Sequence, residues 1–348
     1  MLTNIHIEPQ AKSSAELASS HGMPPMVVTD ILRRAGILED LASVEYLLQQ
    51  RSYSDSALLH EAGAYTVAAG GKRLRAALVL LAARLGNYNF TRASHPAVAI
   101  ELLHAASLIH DDLVDHAGHR RGRVTVHSRW NPTVALMLGD FFFARAAHEL
   151  VDETDPRIIR YYVEAAQTMV EGELSPVTLL QPLERAREQY YHKIWAKTAV
   201  LFEAACKCGM AVADGSEDNI AALANYGHYM GMAFQIVDDV LDFIGDERLL
   251  GKPAGNDLRE GTLTLPLIYA VDMSDHPLLR ELAHHPRPRT QDINTIIDLV
   301  IRAGGHTRAM EDAQMYIARA RSSLDHFVLS PTHDALIELG DFFLQRQQ

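Results

Sequence analysis

Apolar side chains recur along most of the chain at the three- and four-residue spacing of helices that bury one face. The pattern begins at Met26 and continues to about Gln50, with Val27, Ile31 and Leu38 among its apolar positions. Further helices are predicted at 96–114, 132–150, 157–174, 190–213 and 225–246, and more between 267 and 348. No β-branched run alternates with polar residues as strands do. The pattern predicts an all-α fold after a polar tail at 1–25. Length alone would suggest about two domains, but an all-helical chain of this size can be one unit.

Composition narrows the class of protein. The chain has 348 residues, 48% of them hydrophobic, so a large core is possible. A formal net charge of −12 argues against a nucleic-acid partner, because such binding depends on basic residues that neutralise phosphates. Two cysteines, Cys206 and Cys208, are too few for a disulfide scaffold or a metal knuckle. No signal peptide or transmembrane run is found, so we expect a cytoplasmic protein.

A cluster of basic residues follows Gly70-Gly71. The glycine pair is expected to open a helix, with Lys72, Arg73 and Arg75 in its first turn. Basic side chains are unfavourable at the positive end of a helix dipole unless an anion binds there. Lys72 and Arg75 are i,i+3 neighbours and could share one anion. The cluster therefore predicts a phosphate site.

Two acidic motifs of the form DDxxD lie on otherwise apolar helices. One motif of this kind is weak evidence, but two are much stronger. Converging carboxylates would repel one another unless divalent cations neutralised them, and ligands that are all oxygen suit Mg²⁺. His104 lies two helical turns before the first motif, on nearly the same face. The motifs consist of Asp111, Asp112 and Asp115, and of Asp238, Asp239 and Asp242.

The combined motifs resemble those of the all-trans polyprenyl diphosphate synthases, a family with the isoprenoid synthase fold. The resemblance extends from about Gly70 to Leu267 and favours the medium- and long-chain branch. Five motifs stand in the family's order: GGKRxR at 70–75, the first aspartate motif with its RRG tail at 111–122, KTA at 197–199, FQxxDDxxD at 234–242 and GKxxGxDLxEG…TLP at 251–266. The fold that this implies is a single large helical bundle over 26–348 around a central cavity for diphosphate and Mg²⁺.

The resemblance also implies an activity. The chain would be a Mg²⁺-dependent prenyltransferase that joins isopentenyl diphosphate head-to-tail to geranyl, farnesyl or geranylgeranyl diphosphate, as a homodimer. Three Mg²⁺ ions per site, replaceable by Mn²⁺, would be held mainly by Asp111, Asp115 and Asp238, supported by Asp112, Asp239 and Asp242. The catalytic residues that contact the allylic substrate would be Arg120, Lys197, Thr198 and Gln235, with Lys252 as a further donor. Isopentenyl diphosphate would be held by Lys72, Arg75, His104 and Arg121.

This sequence departs from the family pattern at two positions. The family often has lysine at the position of Thr262, so one contact to the leaving group is expected to be missing or to run through water. The family often has glutamine shortly after Gly172-Glu173, whereas Leu174-Ser175-Pro176 follows here. We therefore expect that helix to bend or end early.

Two small residues indicate the length of the product. Ala106 and Ser107 stand five and four positions before Asp111, where relatives that make farnesyl diphosphate usually carry aromatic residues. Small side chains leave the predicted tunnel open at this level, so a product longer than farnesyl is expected. The floor of the tunnel is placed lower, among residues such as Leu103, Leu136 and Phe143.

Three other functions are compatible with parts of the pattern. A di-iron carboxylate bundle would use Glu-x-x-His pairs such as Glu101/His104 and Glu281/His284, but the second pair runs into a proline-rich break. A terpene cyclase would usually replace the second aspartate motif and would not need Lys72. A non-catalytic regulatory subunit of a two-subunit synthase would typically lose aspartate motifs that this chain keeps.

Overall fold

The computed structural model describes residues 27–120, 122–151, 155–245 and 254–345. Nearly all regular structure in these ranges is helical, which confirms the predicted all-α fold. The predicted tail at 1–25, Arg121 and Lys252 lie outside the described residues.

The amino-terminal half consists of helices joined by short turns. These are α1 (Val28–Arg34), α2 (Leu38–Arg51), α3 (Ala57–Val67), α4 (Leu74–Arg84), α5 (Phe90–Val114), α6 (Val126–Arg129), α7 (Pro132–Glu149) and α8 (Pro156–Glu173). A short antiparallel hairpin between α5 and α6, absent from the sequence prediction, pairs β1 (His119–Arg120) with β2 (Arg123–Val124). It places Arg120 close to the end of α5, where its Nε donates to Asp112 (2.6 Å).

The carboxyl-terminal half contains the second aspartate motif. Its helices are α9 (Leu183–Ile194), a π-helix (Trp195–Ala199), α10 (Val200–Val212), α11 (Glu217–Ile244), α12 (Asn256–Arg259), α13 (Leu265–Met273), α14 (Pro277–His284), α15 (Ile293–Ala303), α16 (Gly305–Ser322) and α17 (Pro331–Gln345), with a 3₁₀ turn (Thr290–Asp292) before α15. The predicted helix over 190–213 is thus three segments, and its π-helical part contains the KTA motif.

Buried apolar side chains form two clusters that meet along α11 and α16. The first includes Tyr226 on α11 and Ile317 on α16. The second includes Ile236 on α11 and Ala313 on α16. Because both clusters use the same two helices, the second aspartate motif on α11 is supported by core packing from both halves of the chain.

Two helix starts differ from the prediction. α4 begins at Leu74, so Lys72 and Arg73 precede it, because Gly70 (φ 66°), Gly71 (φ 157°) and Arg73 (φ 45°) are not helical. α5 begins at Phe90, six residues before the predicted start at Pro96. The side chain of Asn89 accepts a hydrogen bond from Arg92 N and caps this earlier start.

The early end predicted after Gly172-Glu173 is confirmed. α8 stops at Glu173, and the segment after Leu174 is irregular up to the start of α9. Among the helices that the structure describes, none combines the length and apolar character needed to cross a bilayer.

Candidate active site

The first of two cavities collects the basic residues predicted to bind isopentenyl diphosphate. It has a volume of about 460 Å³. Lys72, Arg75, His104 and Arg120 all line it, together with Asp112 of the first aspartate motif. Arg120 was predicted to contact the allylic substrate, and it reaches this cavity from the hairpin.

Aromatic rings contact two basic side chains of this cavity, Lys72 and Arg75. Lys72 Nζ lies 5.0 Å from the ring centroid of Phe342 on α17. Arg75 Cζ lies 4.9 Å from the ring centroid of Phe202 on α10. Cation–π contacts of this kind attract a charged group to the face of the ring and help to hold it in place.

Arg73 makes different contacts from Lys72 and Arg75. Its guanidinium donates to Glu45 (Nε–Oε2, 2.6 Å) and to the carbonyl oxygen of Val67 (3.1 Å), and lies 3.6 Å from Glu101 Oε2. Glu101 is buried and accepts a hydrogen bond from Ala76 N (3.1 Å). Arg73 lines the cavity together with Lys72 and Arg75, and its contacts also anchor the turn before α4.

The second cavity brings together residues of both aspartate motifs. It has a volume of about 500 Å³, and Asp115 and Asp239 both line it. Lys197, Thr198 and Gln235, all predicted to contact the allylic substrate, share its wall. Thr262, which stands where the family often has lysine, lines it as well.

Hydrogen bonds order the polar side chains of this cavity. Thr198 Oγ1 donates to Gln235 Oε1 (2.8 Å), and Gln235 Nε2 donates to Asp239 Oδ1 (2.8 Å). The hydroxyl of Tyr190 donates to the other carboxylate oxygen of Asp239 (2.7 Å). Lys197 Nζ lies 3.3 Å from Asp111 Oδ2, which connects the π-helix to the first motif.

The six aspartates fall into two groups. Asp112, Asp239 and Asp242 are buried, and protein donors hold all three. Arg120 Nε donates to Asp112 (2.6 Å), and Asp257 N donates to Asp242 (3.1 Å). The remaining three, Asp111, Asp115 and Asp238, are less buried. The predicted division into principal and supporting metal ligands stays a prediction.

Burial makes negative charge costly in these motifs. It raises the pKa of Asp239 well above the usual carboxyl range, and the neighbouring carboxylate of Asp257 adds to this. Burial also raises the pKa of Asp111 and of Asp112, although Lys197 and Arg120 oppose it. Burial would lower the pKa of Lys197, but Asp111 and Glu173 outweigh that effect and raise it.

The donor set therefore suits a divalent cation. The acceptors are carboxylate oxygens, which are the ligands that Mg²⁺ prefers, and their raised pKa values indicate negative charge that the protein alone does not fully compensate. Within the described residues, no three His, Cys, Asp or Glu side chains are grouped closely enough to hold a metal ion. Asp115 and Asp239 line one cavity and Asp112 lines the other, so the expected convergence of six carboxylates on one cavity stays a prediction.

Two helices contribute to both cavities. On α11, Phe234 lines the first cavity and its neighbour Gln235 lines the second. At the end of α5, Asp112 lines the first and Asp115 the second. The cavities therefore adjoin along these helices, so that two anionic groups could be held side by side.

The residues predicted to limit product length lie on α5 below the aspartates. Ala106 is buried, and the hydroxyl of the partly buried Ser107 donates to the carbonyl oxygen of His104 (2.9 Å). Leu103 is buried too, whereas Leu136 and Phe143 on α7 are 44% and 43% exposed. Within one chain, Leu103 is therefore better placed than Leu136 or Phe143 to close a tunnel.

Sequence reasoning gave no role to three polar residues of the second cavity. Tyr190, Lys193 and Glu173 line it, and Tyr190 holds Asp239 directly. A signal was present, because Tyr190, Lys193 and Lys197 have the i, i+3, i+7 spacing of one helix face. The di-iron alternative gains no support, since Glu281 and His284 are exposed on α14.

Comparison with known proteins identifies the family of this chain. The model of the polyprenyl synthetase family matches residues 56–300. Heptaprenyl diphosphate synthase component 2 of Geobacillus stearothermophilus is 36% identical over 309 residues, which cover 88% of this chain and 96% of that protein. Octaprenyl diphosphate synthase of Escherichia coli is 32% identical over 328 residues, 89% of this chain and 97% of that protein.

Solved structures agree. A polyprenyl synthase from Caulobacter crescentus, crystallised with calcium and isoprenyl diphosphate, has a TM-score of 0.85 and 33% identity, and the match covers 94% of this chain and all of that one. The family model matches most of the chain, and the relatives match along nearly their whole length. The chain belongs to the polyprenyl synthetase family of prenyltransferases.

Proposed function

We propose that the protein condenses isopentenyl diphosphate head-to-tail with an allylic diphosphate and releases an all-trans polyprenyl diphosphate longer than farnesyl. The observation that carries this proposal is the pair of adjoining cavities. One is lined by Lys72 and Arg75, and the other by Lys197 with carboxylates of both aspartate motifs. Two diphosphates, one in each cavity, would have their prenyl groups close to each other.

The chain's own residues bind and orient both substrates. Lys72, Arg75 and His104 hold the diphosphate of isopentenyl diphosphate in the first cavity, joined by Arg121, which lies outside the described residues. Lys197 and Gln235 donate to the allylic diphosphate in the second cavity. Arg120, which lines the first cavity, and Lys252, which lies outside the described residues, add donors to the same diphosphate. These donors stabilise the leaving group as the allylic C–O bond breaks.

The carbon chemistry then needs no protein nucleophile. Thr198, fixed by its hydrogen bond to Gln235, shapes the site around the allylic cation. The double bond of isopentenyl diphosphate attacks this cation and forms the new C–C bond, and a proton is then lost to the departed diphosphate. Mg²⁺, for which Mn²⁺ can substitute, supplies Lewis-acid charge neutralisation at the leaving group when held by Asp111, Asp115 and Asp238, with three ions per site.

A product assay tests the proposal directly. The protein alone is incubated with Mg²⁺, farnesyl diphosphate and excess labelled isopentenyl diphosphate, and the products are separated by chromatography. Prenyl diphosphates longer than C15 that form only with Mg²⁺ are expected. Turnover of geranyl diphosphate that stops at farnesyl would contradict the predicted chain length.

A second candidate function is a subunit of a heteromeric synthase. It is favoured by one observation, that the relative from Geobacillus stearothermophilus is called component 2. The loss of aspartates expected of a non-catalytic subunit is not met here, because both motifs are complete. No elongation by the protein alone, with activity only after a second polypeptide is added, would favour this candidate.

A further inference from the structure

The ammonium group of Lys197 lies between carboxylates from two different helices. Its Nζ is 2.8 Å from Glu173 Oε2 on α8 and 3.3 Å from Asp111 Oδ2 on α5. Asp111 belongs to the metal-binding set proposed above, whereas Glu173 has no part in that chemistry. Its position therefore needs a separate explanation.

A second lysine fixes the backbone that carries Glu173. Lys193 Nζ donates to the carbonyl oxygens of Gly172 (3.1 Å) and Glu173 (3.3 Å), and lies 3.6 Å from Glu173 Oε2. The last carbonyl groups of a helix have no partner within that helix, and a cation is favourable at this end of the dipole. Lys193 thereby caps α8 at its final residue.

The same helix end packs directly on the π-helix. A Cβ atom added at Gly172 would lie 2.3 Å from the Cβ of Ala196, the residue before Lys197. The two backbones can approach this closely only because residue 172 is glycine. π-helical segments are rare and often occur at functional sites, and this one carries Lys197 and Thr198.

We propose that Glu173 and Lys193 are positioning residues for Lys197. Lys193 fixes the last turn of α8. Glu173 then holds the Lys197 ammonium at the wall of the second cavity, where it can bind the allylic diphosphate. All three side chains line that cavity. The inference rests on the proposed condensation and extends it to residues that do not touch the reacting atoms.

A role in stability alone accounts poorly for the Glu173 pair. The side chains of Glu173 and Lys197 are 31% and 37% exposed, and ion pairs at such sites add little to stability. Their shared position in the cavity wall indicates a contribution to substrate binding instead.

The chain offers a matched control for a kinetic test. Glu171 lies two residues before Glu173 on the same helix, is exposed and bonds to Gln167 (3.0 Å). We expect Glu173→Gln to raise KM for the allylic diphosphate about tenfold and to change KM for isopentenyl diphosphate less than about twofold. Glu171→Gln should behave as wild type. Equal effects on both KM values would overturn the proposal.

A double-mutant cycle separates positioning from a general structural role. If Glu173 acts through Lys197, adding Glu173→Gln to Lys197→Met should cause no further loss beyond that of Lys197→Met alone. Losses that multiply in the double variant would show that Glu173 acts independently of Lys197, and the proposal would fail.

A measurement without metal tests the positioning roles of Glu173 and Lys193 independently of the proposed function. In EDTA, hydrogen exchange of amides 195–199, followed by mass spectrometry, should be at least about threefold faster in Glu173→Gln and Lys193→Met than in Glu171→Gln. Unchanged exchange in both variants would overturn the positioning roles. A wild-type protein that fails to condense its substrates would instead overturn the proposed function, because this exchange measurement requires no turnover.

Discussion

Individual aspartates in the two motifs differ in what holds them. Asp239 accepts hydrogen bonds on both carboxylate oxygens, from Gln235 and from Tyr190, and is 3% exposed. Asp111 instead lies 3.3 Å from the ammonium group of Lys197, which it shares with Glu173. The same short sequence pattern thus yields carboxylates with different partners, depending on what each helix face contacts.

Replacement of the buried charge at Asp239 should stabilise the protein without metal. Asp239→Asn removes a carboxyl whose pKa is raised by burial, so in EDTA at pH 7 we expect a gain on the order of 1 kcal/mol in unfolding free energy. The gain should disappear below the usual carboxyl pKa, where the aspartate is protonated in both folded and unfolded states. Urea unfolding measures both effects.

The control for this variant is Asp334→Asn, because the Asp334 side chain is 68% exposed. Its unfolding free energy should stay within about 0.5 kcal/mol of wild type. A metal-free Asp239→Asn protein that is less stable than wild type at pH 7 would show that the hydrogen bonds to Asp239 outweigh the cost of its charge.

A larger side chain at Ala106 should shorten the product. Ala106→Phe places a ring in a buried position of α5, below the first aspartate motif, where it would block the path of a growing chain. We expect the main product to become shorter, with Ala106→Leu intermediate. Chromatography of products made with excess isopentenyl diphosphate tests this, and an unchanged distribution from folded Ala106→Phe would refute the proposed gate.

The contacts of individual side chains could be predicted only in part from the sequence. Spacing predicted that Lys72 and Arg75 act together, and both line the first cavity. Spacing did not predict that Arg73, between them, would be used to anchor the preceding turn through Glu45 and Glu101. Those partners are distant in sequence, so only the folded chain brings them together.

At the level of elements, the π-helix at Trp195–Ala199 is the feature that positions the KTA motif. The apolar pattern predicted one continuous helix there, because a single wider turn leaves the helical periodicity almost unchanged. The left-handed residues before α4 and the hairpin at 119–124 were likewise missed, since each depends on a few residues with special backbone angles.

The contact between α8 and the π-helix should be sensitive to one added methyl group. Gly172→Ala would bring two Cβ atoms to 2.3 Å unless the helix ends separate, so we expect a loss of about 1–3 kcal/mol in stability. Gly118→Ala is the control, because a Cβ there meets nothing within 4 Å. Thermal unfolding should distinguish the two, and equal melting temperatures would show that the helix end yields at little cost.

At the scale of the whole molecule, the apolar pattern was sufficient to predict the fold class. Long amphipathic and apolar helices left little alternative to a bundle, and the described residues confirm it. A single domain over 26–348 stays a prediction, supported by the shared use of α11 and α16 by both core clusters. The meeting of the cavities depends on how α5 and α11 pack, which local sequence patterns do not encode.

Exposed apolar residues on α7 support the predicted homodimer. Leu136 and Phe143 are seven residues apart on one face, 44% and 43% exposed, and such patches are typical of subunit interfaces. We expect the double variant Leu136→Glu with Phe143→Glu to sediment as a folded monomer. Val328→Glu is the control, since Val328 is 85% exposed in the loop before α17 and should leave the dimer intact. A double variant that still sediments as a dimer would place the interface elsewhere.

The shared use of α11 has a thermodynamic consequence. Phe234 and Gln235 are adjacent on one rigid helix yet face different cavities, so any displacement of this helix on filling one cavity alters the wall of the other. Binding at the two cavities is then linked, and linkage is reciprocal. If bound allylic diphosphate changes the affinity for isopentenyl diphosphate by some factor, then bound isopentenyl diphosphate must change the affinity for the allylic diphosphate by the same factor.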